Sequence, residues 1–162
     1  MLDLVVGLGS NLGDRLGYLR EAVRRLGDAF DLQARSSVYE TAPVGPAQPD
    51  YLNAAVRILA TSSPEEVLAL LLHIERDSGR TRTEETRWGP RTLDLDLLWG
   101  EGLVVSTPSL TVPHPHLSER PFALFPLLDV APEATDPRTG RPLRASLDAC
   151  EAAGVTRTTL VL

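Results

Sequence analysis

The stretch Thr92-Leu93-Asp94-Leu95-Asp96-Leu97 alternates polar and apolar residues without a break. Period two marks a half-buried strand, because successive side chains leave opposite faces. The spacing predicts a strand over Thr92 to Trp99 with Leu93, Leu95 and Leu97 in a core and Asp94 and Asp96 together on the other face. The aspartate Cα atoms then lie about 7 Å apart. Two bare carboxylates at that range repel by roughly 2 kcal/mol at an effective dielectric near 20. A divalent cation removes the repulsion, and two oxygen donors suit magnesium, which shares its shell with waters and phosphates. A solvated strand face carries the same pattern.

Working outward, Leu2 to Gly9 is an apolar run read as a buried first strand. A helix from Asp14 to Leu26 follows, with Leu16, Leu19, Val23 and Leu26 on one face and Gly27 as its stop. Leu32 to Glu40 and Tyr51 to Thr61 read as strands, separated by a loop holding Pro43, Gly45, Pro46 and Pro49. Ser63-Pro64-Glu65-Glu66 starts a second helix that runs to Gly79. Its His73, on an otherwise apolar helix, is expected to be packed. Val104-Val105 is expected to pair with the aspartate strand as a hairpin, and Arg120 to Val130 to form a helix interrupted near Pro126. Arg144 to Ala153 reads as a last helix and Thr158 to Leu162 as a last strand. The leading order β-α-β-β-α-β is that of an α+β, ferredoxin-like antiparallel sheet with two helices on one face.

The 162 residues suit one domain spanning the chain, large enough to fold without disulfide or metal. The longest apolar run, Val67 to Leu72, is far below the ~20 residues of a membrane span. Asp3 interrupts any leader-like start, and Cys150 is the single cysteine, so a reducing cytoplasm is expected. The net charge of −6 argues against nucleic-acid or acidic-membrane partners. All 16 basic residues are arginines, which excludes Schiff-base chemistry and a phosphate-loop lysine. Phosphate binding then falls to arginine forks or backbone amides.

Five arginines (Arg76, Arg80, Arg82, Arg87 and Arg91) crowd the stretch before the aspartates. Such a loop can close over a polyphosphate, or simply be exposed and balanced by Glu84 and Glu85. Beside paired carboxylates it makes a coherent phosphoryl-transfer constellation. Gly7-Leu8-Gly9-Ser10-Asn11-Leu12-Gly13 is not a dinucleotide fingerprint, since Leu12 stands where the third glycine belongs. His114-Pro115-His116 lacks a third ligand for zinc. One histidine near a phosphate is the better use, as donor or proton relay. Tyr51 and Phe122 are core residues or a sandwich for a flat ring, whose edge Asn53 can meet as donor and acceptor.

The run Arg87-Trp88-Gly89-Pro90-Arg91-Thr92-Leu93-Asp94-Leu95-Asp96 closely resembles the signature of the 6-hydroxymethyl-7,8-dihydropterin pyrophosphokinases. The resemblance extends to Gly9-Ser10-Asn11-Leu12, to Pro49-Asp50-Tyr51-Leu52-Asn53-Ala54 and to Val112-Pro113-His114, and fades beyond Pro132. It implies a folate-synthesis enzyme that moves the β,γ-diphosphate of ATP onto the hydroxymethyl group of the reduced pterin, releasing AMP. By that likeness Asp94 and Asp96 hold two magnesium ions, and Arg82 and Arg91, on a mobile loop, act in catalysis. Arg80, Arg82, Arg91, Glu75, His114 and Arg120 fall at ATP positions, with Leu68, Leu97 and Thr111 shaping the adenine slot. Thr41, Ala42, Pro43, Val44, Tyr51, Asn53 and Phe122 fall at pterin positions. The resemblance implies no obligate protein partner.

Departures from common family patterns are Ser109 for a basic residue, Pro115 for a tyrosine and Ala42 for a proline. The arginine loop is one residue longer before Arg87. None of these touches the aspartates. A two-metal phosphodiesterase and a non-catalytic sensing module are the alternative readings; the first wants more acidic ligands, and the second has little use for paired carboxylates.

Overall fold

The computed structural model describes residues 1–43, 47–79, 92–151 and 154–162. The apolar run Leu2–Ser10 becomes β1, which is flanked by a strand on each side. Helix α1 (Arg15–Ala29) follows, then β2 (Asp31–Arg35), β3 (Tyr39–Thr41), β4 (Tyr51–Ala60), α2 (Pro64–Asp77) and β5 (Asp94–Gly100). A small hairpin, β6 (Val105–Ser106) with β7 (Thr111–Val112), leads to a 3-10 turn at Leu117–Glu119 and helix α3 (Pro121–Val130). Helix α4 (Leu143–Asp148) and β8 (Val155–Arg157) complete the described elements. The main sheet runs β5-β1-β4-β3-β8, with β2 also on β4, and its pairings are antiparallel. The expected α+β, ferredoxin-like sheet is present.

Strand alternation sorts side chains onto two faces. Leu4, Val6 and Leu8, with Val56 and Ile58 of β4 and Leu95 and Leu97 of β5, pack under α1 and α2. Val5, Ala55, Leu98 and Trp99 face the other way and meet Leu124 and Leu127 of α3 and Leu143 of α4. Trp99 is fully buried there, its indole N–H donating to the Thr135 carbonyl at 2.8 Å. Lower on this face Arg57 grips Asp3 with two hydrogen bonds of 2.9 and 2.8 Å. Leu98 of this cluster lies over Gly7, and Asn53 and Tyr51 follow over Gly9.

Several elements differ from the sequence reading. The expected strand Leu32 to Glu40 is split, because residues 36–38 face only residues 54–55 between the flanking pairs Arg35↔Val56 and Tyr39↔Asn53. That bulge is held by Ser36, whose hydroxyl accepts from the Ala55 N–H at 2.8 Å. Helix α1 runs past Gly27 to Ala29, and the Phe30 N–H closes it on the Leu26 carbonyl. Val105 pairs with Val112 rather than with β5, whose Leu98 carbonyl instead accepts from the His114 N–H at 2.9 Å. Pro126 does not interrupt α3; only the bond to the Phe122 carbonyl is lost. Helix α4 stops at Asp148, and the last strand lies at Val155–Arg157, since Thr158 already caps the Val38 carbonyl with its hydroxyl. His73 is not packed: its side chain is half exposed, 3.5 Å from the Asp77 carboxylate.

The capping box of α2 matches the sequence: Ser63 accepts from the Glu66 N–H while Glu66 reaches back to Ser63. Near its other end, Glu75 is 1% exposed and its Oε2 accepts from the Leu95 N–H at 2.8 Å. A buried helix carboxylate therefore fixes the residue between the two aspartates. Replacing Glu75 by Ala leaves that N–H unsatisfied and is expected to cost about 2 kcal/mol, while Glu75→Gln keeps an acceptor and loses less. Urea unfolding of the two variants measures the difference.

Candidate active site

Asp94 and Asp96 occupy one face of β5, and the register sets them opposite Gly9 and Gly7 of β1. Both glycines are needed. A Cβ on Gly9 would stand 3.0 Å from Asn53 Oδ1, and one on Gly7 would be 2.8 Å from Leu98 Cδ1. The two glycines thus let Leu98, Asn53 and Tyr51 close directly onto the β1 backbone beside the carboxylates. On the far side of Gly9 sits Asn53. Its Nδ2 donates to Thr41 Oγ1 at 2.6 Å, which fixes the amide's orientation. Tyr51 is beside them, paired with Thr41 and 3.5 Å from the place a Gly9 Cβ would take. One sheet face therefore carries Thr41, Tyr51, Asn53, Asp94 and Asp96.

The wall comes from the segment after β7. The His114 N–H docks on β5, and its ring Nδ1 accepts from the His116 N–H at 3.3 Å. Burial, then the charge of Arg120, then His116 push the His114 pKa down to about 4, against an opposing pull from Asp94. The imidazole is accordingly neutral at pH 7. Arg120 lies over the Phe122 ring, 5.8 Å from its centroid, a cation–π contact that holds the guanidinium.

Glu75, Leu68 and Leu97 are on the opposite side: Glu75 and Leu97 are buried and Leu68 packs partly against the α1/α2 core. Thr111 lies on β7, Ala42 is exposed and Pro43 half-buried. Val44, Arg80, Arg82 and Arg91 fall outside the described residues.

The sequence reading passed over the residues that brace this site. Asn11, 1% exposed, donates from Nδ2 to Gln48 Oε1 at 2.7 Å and to the Pro49 carbonyl at 3.0 Å. Arg15 binds Glu40 and the Asp50 carbonyl, each at 3.0 Å. Together they tie the segment before Tyr51 to the start of α1. Behind Asn53, the Tyr39 hydroxyl donates to Asp129 at 2.9 Å and its ring stacks on Phe125. Burial, reinforced by Asp129, raises the Tyr39 pKa to about 12. The Ser10 and Thr92 hydroxyls, at the same end of β1 and just before β5, are buried without a hydrogen-bond partner. A signal for Asn11 existed: a polar residue between an apolar strand and a glycine turn.

Two carboxylates on one strand face suit a hard cation that keeps much of its shell as water and phosphate. Among the described residues no three His, Cys, Asp or Glu side chains form a closed cage. No described helix is long and apolar enough to cross a membrane.

Comparison with known proteins identifies the family. Residues 5–132 match the family model of 7,8-dihydro-6-hydroxymethylpterin-pyrophosphokinase. The chain is 48% identical over 128 residues to a Bacillus subtilis protein named as that pyrophosphokinase, covering 77% of this chain and 75% of that one. It is 43% identical over 141 residues to a Synechocystis protein of the same name, covering 86% and 71%. A Pseudomonas aeruginosa counterpart is 42% identical, covering 94% of both. Among solved structures, a Plasmodium falciparum HPPK-DHPS matches with TM-score 0.70 at 13% identity; 91% of this chain covers 41% of that longer one. The chain belongs to the 7,8-dihydro-6-hydroxymethylpterin-pyrophosphokinase family.

Proposed function

We infer that this chain transfers diphosphate from ATP to the hydroxymethyl group of 6-hydroxymethyl-7,8-dihydropterin, yielding AMP and the pterin diphosphate in folate biosynthesis. The observation that carries the site reading is the register that puts Asp94 and Asp96 against glycines on the face that also holds Asn53, Thr41 and Tyr51. Asn53, its amide oriented by Thr41, meets the polar edge of the pterin, and Tyr51 and Phe122 stack on its ring. Ala42, Pro43 and Val44 line the same pocket with backbone.

Asp94 and Asp96 would hold two magnesium ions, which would supply neutralisation of phosphate charge and a lower pKa for the pterin hydroxyl. The hydroxyl oxygen attacks the β-phosphorus in line, the bond to the α-phosphate oxygen breaks, and AMP leaves. Neutral His114 donates a hydrogen bond to phosphate, and Arg120, steadied by Phe122, adds charge beside it. Arg80, Arg82 and Arg91 bind the polyphosphate, and Arg82 and Arg91 stabilise charge on the transferred group. Thr111 lines the adenine slot, with Leu68 and Leu97 backing it from the α1/α2 core and Glu75 anchoring the strand behind it. Residues 1–162 act as one pyrophosphokinase domain, in the cytoplasm, with no need of nucleic acid, membrane or a second protein.

Incubation with magnesium, ATP and the reduced pterin should yield pterin-dependent AMP on nucleotide separation; ADP and free phosphate would refute the reaction. Asp96→Ala should lower turnover by on the order of a thousandfold or more with the fold intact, and normal turnover would remove the metal role. Arg82→Ala and Arg91→Ala should slow the single-turnover rate by about a hundredfold while a pterin titration moves little. Losses confined to affinity would take both arginines out of the transition state.

His114 also makes a stability prediction. Its folded pKa of about 4 lies below the ordinary 6.5, so the unfolded chain binds more protons between those values. Stability from this group is full above pH 6.5 and is lost as pH falls toward 4. His114→Gln should therefore lose less stability than the parent between pH 7 and pH 5, read as the shift in urea midpoint.

A further inference from the structure

Strand β3 has only three residues, yet it supplies Thr41, the group that orients Asn53. With β4 alone it would be a short edge strand, prone to fray. Strand β8, which lies beyond the segment matched by the family model, occupies its free side in the register Tyr39↔Arg157, Glu40↔Thr156 and Thr41↔Val155. The Ala42 N–H donates to the Gly154 carbonyl at 3.2 Å, and the Thr158 N–H to the Val38 carbonyl at 2.9 Å. By antiparallel alternation, Glu40 and Thr156 then exchange both of their backbone hydrogen bonds.

Side chains lock the pairing at its far end. The Arg157 guanidinium donates twice to Ser37 Oγ, at 2.9 and 2.7 Å, and the Thr158 hydroxyl donates to the Val38 carbonyl at 2.7 Å. Arg20 of α1 in turn holds the Val161 carbonyl at 3.0 Å. The bond from residue 42 is conditional on its identity. Proline has no N–H, so alanine here is what lets the backbone beside the pocket reach Gly154. At Gly154 the backbone is in the left-handed region, φ +85°, and an added Cβ would stand 3.6 Å from Ala42 Cβ.

We propose that β8 is a positioning strap for the pterin pocket: it holds Thr41 and Ala42 in place, sets affinity for the pterin, and leaves the phosphate chemistry untouched. The proposal rests on the pterin site assigned above. Thr156 is exposed, so Thr156→Pro removes one N–H from the strap without emptying the core.

The pterin KM of Thr156→Pro should rise about tenfold, with kcat at saturating pterin and the ATP dissociation constant each within about twofold of the parent. Thr156→Val, which keeps the N–H, should restore parental values. A folded Thr156→Pro protein with parental pterin KM, or one whose ATP affinity falls in step, overturns the strap. If Thr156→Pro fails to fold, the double variant Arg157→Ala/Thr158→Val decides. It keeps the backbone pairing, and its pterin KM should rise about threefold; an unchanged value overturns the proposal. Asn53→Ala is run alongside. Unweakened pterin binding in that variant would refute the pocket assignment itself, a result independent of the strap.

Discussion

The site depends on one constraint: β1 and β5 must pair so that Gly9 meets Asp94 and Gly7 meets Asp96. A slip of one residue would turn both carboxylates into the α1/α2 core and bring leucines to the site face. Three things oppose that slip. Leu93, Leu95 and Leu97 are buried on the other side, the glycines tolerate close neighbours that a Cβ would strike, and the Glu75 carboxylate clasps the Leu95 N–H from beneath. A leucine beneath and an aspartate above are thus two readings of one strand, so core packing and site geometry cannot be tuned separately.

The two faces of the sheet have unequal duties. Under α1 and α2 the packing is apolar along the length of β1. On the opposite face α3 and α4 cover the lower half with Trp99 and the leucines around it, and the Asp3–Arg57 pair closes that end. The upper half is left to polar residues that satisfy one another in pairs, Asn53 with Thr41 and Tyr39 with Asp129. This half is held from below by the packed strands and from the side by α3, whose Phe125 and Asp129 meet Tyr39.

Local patterns were legible where the physics is local. Alternation over Thr92–Leu97 revealed both the strand and the shared face of the aspartates, and Ser63-Pro64-Glu65-Glu66 announced the start of α2. The order of the first six elements was enough for the fold class. What sequence reading missed depends on partners distant in the chain. The break after Arg35 is made by a Ser36 hydroxyl bonded to Ala55, and the pairing of Val105 is decided by His114 taking the Leu98 carbonyl. Within the site, the aspartates were visible from spacing. The bond between Asn53 and Thr41 and the clasp of Asn11 on Gln48 and Pro49 exist only once register and loop are set.

Trp99 has one more consequence. The chain has two tryptophans, Trp88 and Trp99. Trp99 is sealed in the α3-side core with its indole N–H committed to Thr135, so its emission is that of a dry, fixed chromophore. Trp88 belongs to the arginine-rich stretch that leads into the aspartate strand. The molecule therefore carries its own fluorescence reference in Trp99. In a fluorescence titration with nucleotide, Trp99 supplies a constant background without any label being attached.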